Sequence, residues 1–284
     1  MSRPPQMHRF SSEAMATTFE VILVHEEADY AAQAAEAVFM EIQRLEDELS
    51  RFRHTSDIWR LSQLSARQSL NVCLGVWDCL HLAQEVWKET AGAFDITIGP
   101  LMHLWRGADG QLMEPEPDRL ELARACIGSH LFELDEASLK VTVKADRMVF
   151  DLGAVGKGYA LDQAAALLQE WSIADAFLNA GDSTLLALGT PPEESGWLVT
   201  LSDGAHSLSL KDRALSGSGF QVKGAHIMNP RTLRPVPVAQ RRSYALAPSA
   251  ALSDALSTAF MIMDEPEVAQ LCARLGGGVE ALWI

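Results

Sequence analysis

A chain of 284 residues with a formal net charge of -15 is long enough to bury a full core and too acidic to present a general nucleic-acid-binding surface. With 48% apolar and 21% charged residues it has the composition of an ordinary globular protein. No stretch approaches the ~18 apolar residues that cross a bilayer, which excludes stable membrane insertion by a helix.

The N-terminus lacks the apolar run of a secretory signal. The sequence as it stands is expected to be cytoplasmic, or periplasmic if a signal segment has been removed, and residues 1–10 are expected to form a flexible extension. Residues 19–24 read as a strand. Residues 30–51 read as a long amphipathic helix with Val38, Ile42, Leu45 and Leu49 on one face. Ser56 and Asp57 cap a shorter helix over 58–64, 69–73 is strand-like, and 76–90 is again an amphipathic helix. Residues 106–117 carry Gly, Asp and Pro and read as exposed loop. The middle turns strand-rich at 131–134, 139–144 and 147–151, and again at 176–178, 184–188, 197–201 and 207–210. Between these two groups Leu161, Ala164, Ala165, Leu168 and Trp171 recur at helical spacing. Helices over 250–263 and 266–275 and a strand over 279–284 close the chain. This mixture without regular βαβ alternation predicts an α+β fold with largely antiparallel strands, built as a single unit over 1–284. The four cysteines, Cys73, Cys79, Cys126 and Cys272, show no zinc spacing and are expected to be reduced.

The most informative stretch is Asp151-Leu-Gly-Ala-Val-Gly-Lys-Gly-Tyr-Ala-Leu-Asp162. A small-residue turn entering a helix N-terminus presents N–H groups and a positive dipole end to an anion. The lysine and the flanking acids suit a phosphorylated ligand with a metal ion nearby. The spacing of Gly153, Gly156 and Gly158 matches neither the Rossmann fingerprint nor a P-loop, and a purely structural turn is the alternative. In the helix after 249, Leu252, Ala255, Leu256, Ala259, Phe260 and Met263 form an apolar stripe. Asp254 and Thr258 lie one turn apart on the opposite face, either as a solvated face or as a carboxylate and a hydroxyl converging on a hard cation. His226, before the Asn229-Pro230 turn, reads as a base, an acid or a phosphate donor, or as an exposed loop histidine. Three more small-residue segments, Ala91 to Pro100, Asn179-Ala-Gly-Asp-Ser-Thr184 and Ala214-Leu-Ser-Gly-Ser-Gly219, read as turns that contact a ligand or simply connect elements.

In their order along the chain these segments resemble the ApbE family, the FAD:protein FMN transferases. The resemblance rests on Met15-Ala16-Thr17, on Leu49-Ser-Arg-Phe52 with Ser56, and on Gly92-Ala93-Phe94-Asp95-Ile96-Thr97. It continues through residues 151–159, Asn179-Ala180-Gly181-Asp182, His226 to Thr232, and Asp254 with Thr258. It implies an ApbE-like fold with a T-fold-like core, and FAD and Mg²⁺ as substrate and cofactor. It also implies transfer of FMN through a phosphoester to a Thr or Ser hydroxyl of an acceptor flavoprotein. FAD pyrophosphatase activity giving FMN and AMP, or flavin binding without transfer, are the alternatives. Carried over by position, Asp254, Thr258 and the carbonyl of Ala154 hold the metal. FAD is contacted by Met15, Phe52, Ala93, Phe94, Asp95, Asp151, Lys157 and Ile227, and His226 and Asp254 are the catalytic candidates. The chain departs from the family pattern at Ala16, Asp182 and Leu233, each standing where glycine is usual, and at Phe52, where Tyr or Trp is frequent.

Overall fold

The computed structural model describes residues 4–106, 111–219, 227–237 and 242–284. In chain order the elements are β1 (Gln6–Ala14), β2 (Thr17–His25), α1 (Ala28–Leu49), α2 (Asp57–Leu61), β3 (Ser69–Asn71), α3 (Leu74–Glu89), α4 (Gly99–Leu104) and α5 (Pro117–Arg124). There follow β4 (Phe132–Asp135), β5 (Lys140–Val143), α6 (Gly156–Glu170), β6 (Ala176–Ala180), β7 (Thr184–Leu188), β8 (Trp197–Thr200), β9 (Ser207–Leu210) and β10 (Arg213–Ser218). The chain closes with β11 (Met228–Asn229), β12 (Arg234–Pro235), β13 (Ser243–Ala247), α7 (Ala250–Phe260), α8 (Glu265–Leu275) and β14 (Glu280–Trp283).

The main sheet has seven strands in the order β1-β2-β6-β7-β10-β13-β14, antiparallel throughout. Strand periodicity splits its residues between two cores. Phe19, Val21 and Leu23 of β2 face the layer of α1, α6 and α7. Ile22 and Val24 face the opposite side, where the β8–β9 hairpin lays Trp197, Val199 and Leu210 over Leu215, Tyr244 and Leu246. α1 owes its place to the face carrying Ala34, Val38, Ile42 and Leu45, all buried. A smaller sheet, β3-β5-β4, flanks this layer. The α+β architecture with antiparallel strands is the one expected.

Several local expectations fail for identifiable reasons. Residues 6–10, read as part of a flexible extension, are the first half of β1, paired from Gln6↔His25 to Ala14↔Thr17. Residues 147–151 are not a strand. Met148 and Phe150 are buried, but the backbone bonds are irregular: Phe150 N–H donates to Ser62 Oγ (3.1 Å) and Asp151 N–H to the Ile96 carbonyl (2.7 Å). The small-residue segment over 214–219, read as a turn, is mostly strand β10, and β13, α4 and α5 lack a clear sequence signal. β10 and β13 are built from small residues because α7 lies directly on them. Ser253 Oγ donates to the Ala245 carbonyl (2.7 Å) and Ser243 Oγ to the Ser257 carbonyl (2.7 Å), a separation that larger side chains would not allow. α7 is therefore buried on nearly all sides, and its supposed open face is not open.

Candidate functional site

The junction of α6 with α7 forms the centre of the site. Gly158, on the first turn of α6, permits the approach. A Cβ there would stand 2.5 Å from the Ala250 carbonyl carbon and 2.7 Å from Ala251 Cα. Asp162, one turn further along α6, locks the geometry from the other side. Its carboxylate accepts from Ser249 Oγ (2.8 Å) and from the N–H groups of Ala250 (2.7 Å) and Ala251 (2.9 Å), capping α7 from outside. Burial pushes the Asp162 pKa upward against those three donors. Between these two fixings Asp254, only 5% exposed, receives Gly158 N–H (3.3 Å) and the Lys157 ammonium (3.4 Å) on Oδ2. Lys157 also donates to the Gly153 carbonyl (3.1 Å) in the turn before α6. One turn along α7, Thr258 Oγ1 lies 3.2 Å from the Ser218 hydroxyl at the end of β10.

The donor set suits a hard cation. Carboxylate, hydroxyl and loop carbonyl oxygens meet here, and an ammonium already bridges the Gly153 carbonyl and Asp254. Magnesium takes such oxygens together with ligand phosphates and water. Among the described residues no group of three or more His, Cys, Asp or Glu side chains is placed to hold a metal. A cation at this junction would depend on Asp254, neutral oxygens and a phosphorylated ligand.

The other segments are linked to one another and, through Asp151 and the end of β10, to this centre. Asp151 accepts from Gly153 N–H (2.9 Å) and faces Arg51 across 3.6 Å. The Arg51 guanidinium lies 4.5 Å from the Phe52 ring centroid, within cation–π range, and Phe52 itself is 75% exposed. The Asp151–Ile96 backbone bond joins the 92–97 segment to the same turn. Arg231 then ties the β11–β12 hairpin to that segment by donating to the Ala91 carbonyl (3.2 Å) and the Thr90 carbonyl (2.6 Å). On the opposite side, Gly181 N–H donates to the Thr18 carbonyl (3.0 Å) and Gly217 N–H to the Ser183 carbonyl (2.8 Å). These bonds seat the β6–β7 turn between the Met15-Ala16 turn and the end of β10.

The ApbE family model matches residues 15–283. The chain belongs to the ApbE family. It is 25% identical to the FAD:protein FMN transferase of Salmonella typhimurium, across 96% of this chain and 83% of that protein. It is 27% identical to one from Klebsiella pneumoniae, across 81% and 70%. Its fold matches the apo flavinyl transferase ApbE of Pseudomonas stutzeri with a TM-score of 0.86 at 23% identity, covering 99% of this chain and 93% of that one. An ApbE protein from Thermotoga maritima matches with a TM-score of 0.84 at 24% identity, over 98% and 94%.

Within this ApbE chain only part of the set singled out from sequence is brought together. Asp254, Lys157, Asp151 and the Ala154 turn share the α6–α7 junction, and Thr258 adjoins it. Phe52 stands at its rim on Arg51. Ala93 and Phe94 are buried in the interior. Asp95 is buried too, and its carboxylate accepts from Thr97 N–H (2.8 Å), Thr97 Oγ1 (2.7 Å), Ser129 N–H (3.2 Å) and Ser129 Oγ (3.2 Å). Burial raises its pKa despite those donors. The Asp95 carboxylate thus holds the loop together. Ile227 is buried beside the β11–β12 hairpin, and His226 lies outside the described residues.

The three glycine departures share one physical feature. Ala16, Asp182 and Leu233 have φ of 58°, 57° and 58°, the left-handed region that glycine occupies without strain. Asp182 is accommodated by Asn179, whose Nδ2 donates to its carboxylate (2.8 Å) and whose Oδ1 accepts its N–H (2.9 Å). Leu233 instead packs its side chain into the cluster of Leu101, Trp105 and Met228.

Four positions escaped the sequence reading. Arg51 stood inside a quoted motif, and its charge was the signal. Ser218 was hidden by the small-residue composition of β10. Asp162 was noted only as one of the acids flanking the turn, with no role assigned, and it caps α7. His103, on the outer side of α4, interacts electrostatically with Arg51 and Asp151. Burial chiefly, with Arg51, pushes its pKa below the ordinary imidazole range, against the opposing pull of Asp151.

Proposed function

We propose that the chain is a magnesium-dependent FAD:protein FMN transferase that links FMN to a Thr or Ser hydroxyl of an acceptor flavoprotein. The observation that carries this reading is the Asp254–Lys157–Gly153 cluster at the helix junction, joined to Thr258 and ringed by the family's other segments. Family membership and the names of the relatives support the same chemistry. Asp254, Thr258 and the Ala154 carbonyl would hold magnesium, which when bound supplies charge neutralisation to the pyrophosphate.

The chain's own residues account for the rest. The N–H groups that open α6 and the Lys157 ammonium face the phosphate oxygens, and Arg51 adds a second cation at the mouth. Phe52 and Met15 flank the flavin, while Ala93, Phe94 and Asp95 bring backbone rather than side chains to it. Asp151 and Ile227 complete the walls. The acceptor oxygen attacks the FMN phosphorus in line, the bridging P–O bond breaks, and AMP departs with the electron pair. The hydroxyl proton passes to His226 or to Asp254. Incubation with FAD, Mg²⁺ and a peptide carrying an Asp-x-x-Ser/Thr-Gly-Ala-Thr-like acceptor segment tests the reading by mass. Peptide bearing FMN supports transfer. Free FMN and AMP alone would make the chain a pyrophosphatase, and intact bound FAD a flavin-binding protein.

A further inference from the structure

We propose that the free edge of β1, with the groove between β1 and α1, docks an extended segment of the acceptor protein and leads its hydroxyl to the site. This inference rests on the transferase reading.

β1 is the terminal strand of the seven-stranded sheet, and its outer backbone groups can be assigned from its partner. Val24 N–H donates to the Asp175 carbonyl and the Thr18 carbonyl accepts from Gly181 N–H, both at 3.0 Å and both on the β6 side of β2. Their β1 partners, Met7 and Glu13, therefore occupy the pairs that exchange no ladder bonds, so Met7, Arg9, Ser11 and Glu13 all turn N–H and C=O to the open edge. Among the described residues nothing pairs with them. Such an edge is normally guarded by proline, a bulge or outward charge. Here the sequence of β1 has no proline, and both exposed charges are paired with side chains of β2 rather than left free at the edge: Arg9 pairs with Glu20 (3.1 Å) and Glu13 accepts from Thr18 Oγ1 (2.5 Å).

A groove of ≈ 420 Å³ runs beside this edge, lined by Phe10, Ser12, Ala32, Phe39, Met40 and other residues of β1 and α1. Met40 is 68% exposed. The two walls also fix the occupant. β1 runs into the Met15-Ala16 turn, and α1 runs into Ser50-Arg51-Phe52, so both walls end at residues that ring the site. From Ser11 to Met15 is about 13 Å of strand at ~3.3 Å per residue. An extended segment paired along the edge, with alternate side chains in the groove, is carried toward the α6–α7 junction. A second copy of this chain seated there would instead cover the approach.

The test uses Ser11→Pro, which removes an outward N–H and leaves the β1–β2 ladder intact, and Met40→Glu, which places a charge in the groove. For each, transfer of FMN to the acceptor peptide with its flanking residues is compared with cleavage of FAD by water. The expected result is a fall in kcat/KM for the peptide of at least about ten-fold with the water reaction unchanged, and slowed amide exchange at Ser11 and Glu13 when peptide is added to the unsubstituted chain. Undiminished peptide transfer in both variants overturns the proposal. So does a wild-type dimer that Ser11→Pro dissociates. A wild-type chain that transfers no FMN overturns the functional reading itself, and the docking assignment with it.

Discussion

Gly158→Ala is the substitution that most directly probes how the fold positions the site. In an isolated helix it would stabilise by about 1 kcal/mol through helix propensity. In this chain the new methyl meets backbone, which has no rotamer to turn away. Opening the 2.5 Å approach to the Ala250 carbonyl carbon to the 3.4 Å edge of ordinary contact requires at least about 0.9 Å of movement between α6 and α7, and the still closer Ala250 carbonyl oxygen requires more. Overpacking of this kind costs about 1–3 kcal/mol, so the net stability change is a loss of about 0–2 kcal/mol after the propensity gain. The effect on activity is larger, because the movement separates Asp254 from Lys157 and Gly158 N–H. A misplacement of about 1 Å in a catalytic constellation lowers the rate on the order of 10²-fold. Gly156→Ala is the control. Its methyl would meet Leu152 Cβ at 3.7 Å and Leu49 Cδ1 at 3.9 Å, ordinary contacts, so activity should remain near wild type. Denaturant melts with FMN-transfer rates at saturating FAD and Mg²⁺ decide the matter. A Gly158→Ala chain as active as Gly156→Ala would refute the claim that close helix approach places Asp254.

Asp254→Ala should abolish metal-dependent turnover and also lower stability by about 1–3 kcal/mol, because it strands a half-buried ammonium and a buried N–H; an unchanged melt would show that these contacts carry no stability. Ala16→Gly should raise stability by about 1 kcal/mol by relieving a left-handed alanine on an exposed turn. Leu233→Gly should lower it by about 1–3 kcal/mol, because the lost burial outweighs the same relief, and paired melts distinguish the two. Phe52→Ala should leave the melt in place and raise the KM for FAD about ten-fold if the exposed ring stacks on the flavin. The His103 imidazole should titrate by NMR below the ordinary 6.5, and Asp151→Asn should move its midpoint lower still. Between that midpoint and 6.5 the unfolded chain binds more protons than the folded one. The His103 contribution to stability is therefore present above 6.5 and is lost as pH falls through the folded value.

Strongly patterned elements were legible in the sequence. The Val38, Ile42, Leu45 and Leu49 stripe marked α1, and Ser56 marked the cap of α2, where its hydroxyl accepts Trp59 N–H (3.0 Å). Elements defined by their neighbours were not. β1 is an edge strand with polar outward residues and little apolar alternation. β10 and β13 carry the serine and alanine of a turn because α7 rests on them, a constraint set by residues far along the chain. The stretch ending at Phe150 was apolar because it is buried, but it pairs with no ladder. At the site, the helix spacing that aligned Asp254 with Thr258 was sound, yet the same spacing implied an exposed face that α6 in fact covers. Asp95 was assigned to FAD through the family resemblance; that its carboxylate also bonds Ser129 is visible only in the fold. The glycine departures gained meaning from φ, which no single sequence prints.

The most direct test of the central claim is to count products in one reaction of the wild-type chain with FAD, Mg²⁺ and acceptor peptide. The account predicts one AMP released for each FMN bound to the peptide hydroxyl, with both products absent in Asp254→Ala. AMP released alongside free FMN, with unmodified peptide at every time point, would contradict it.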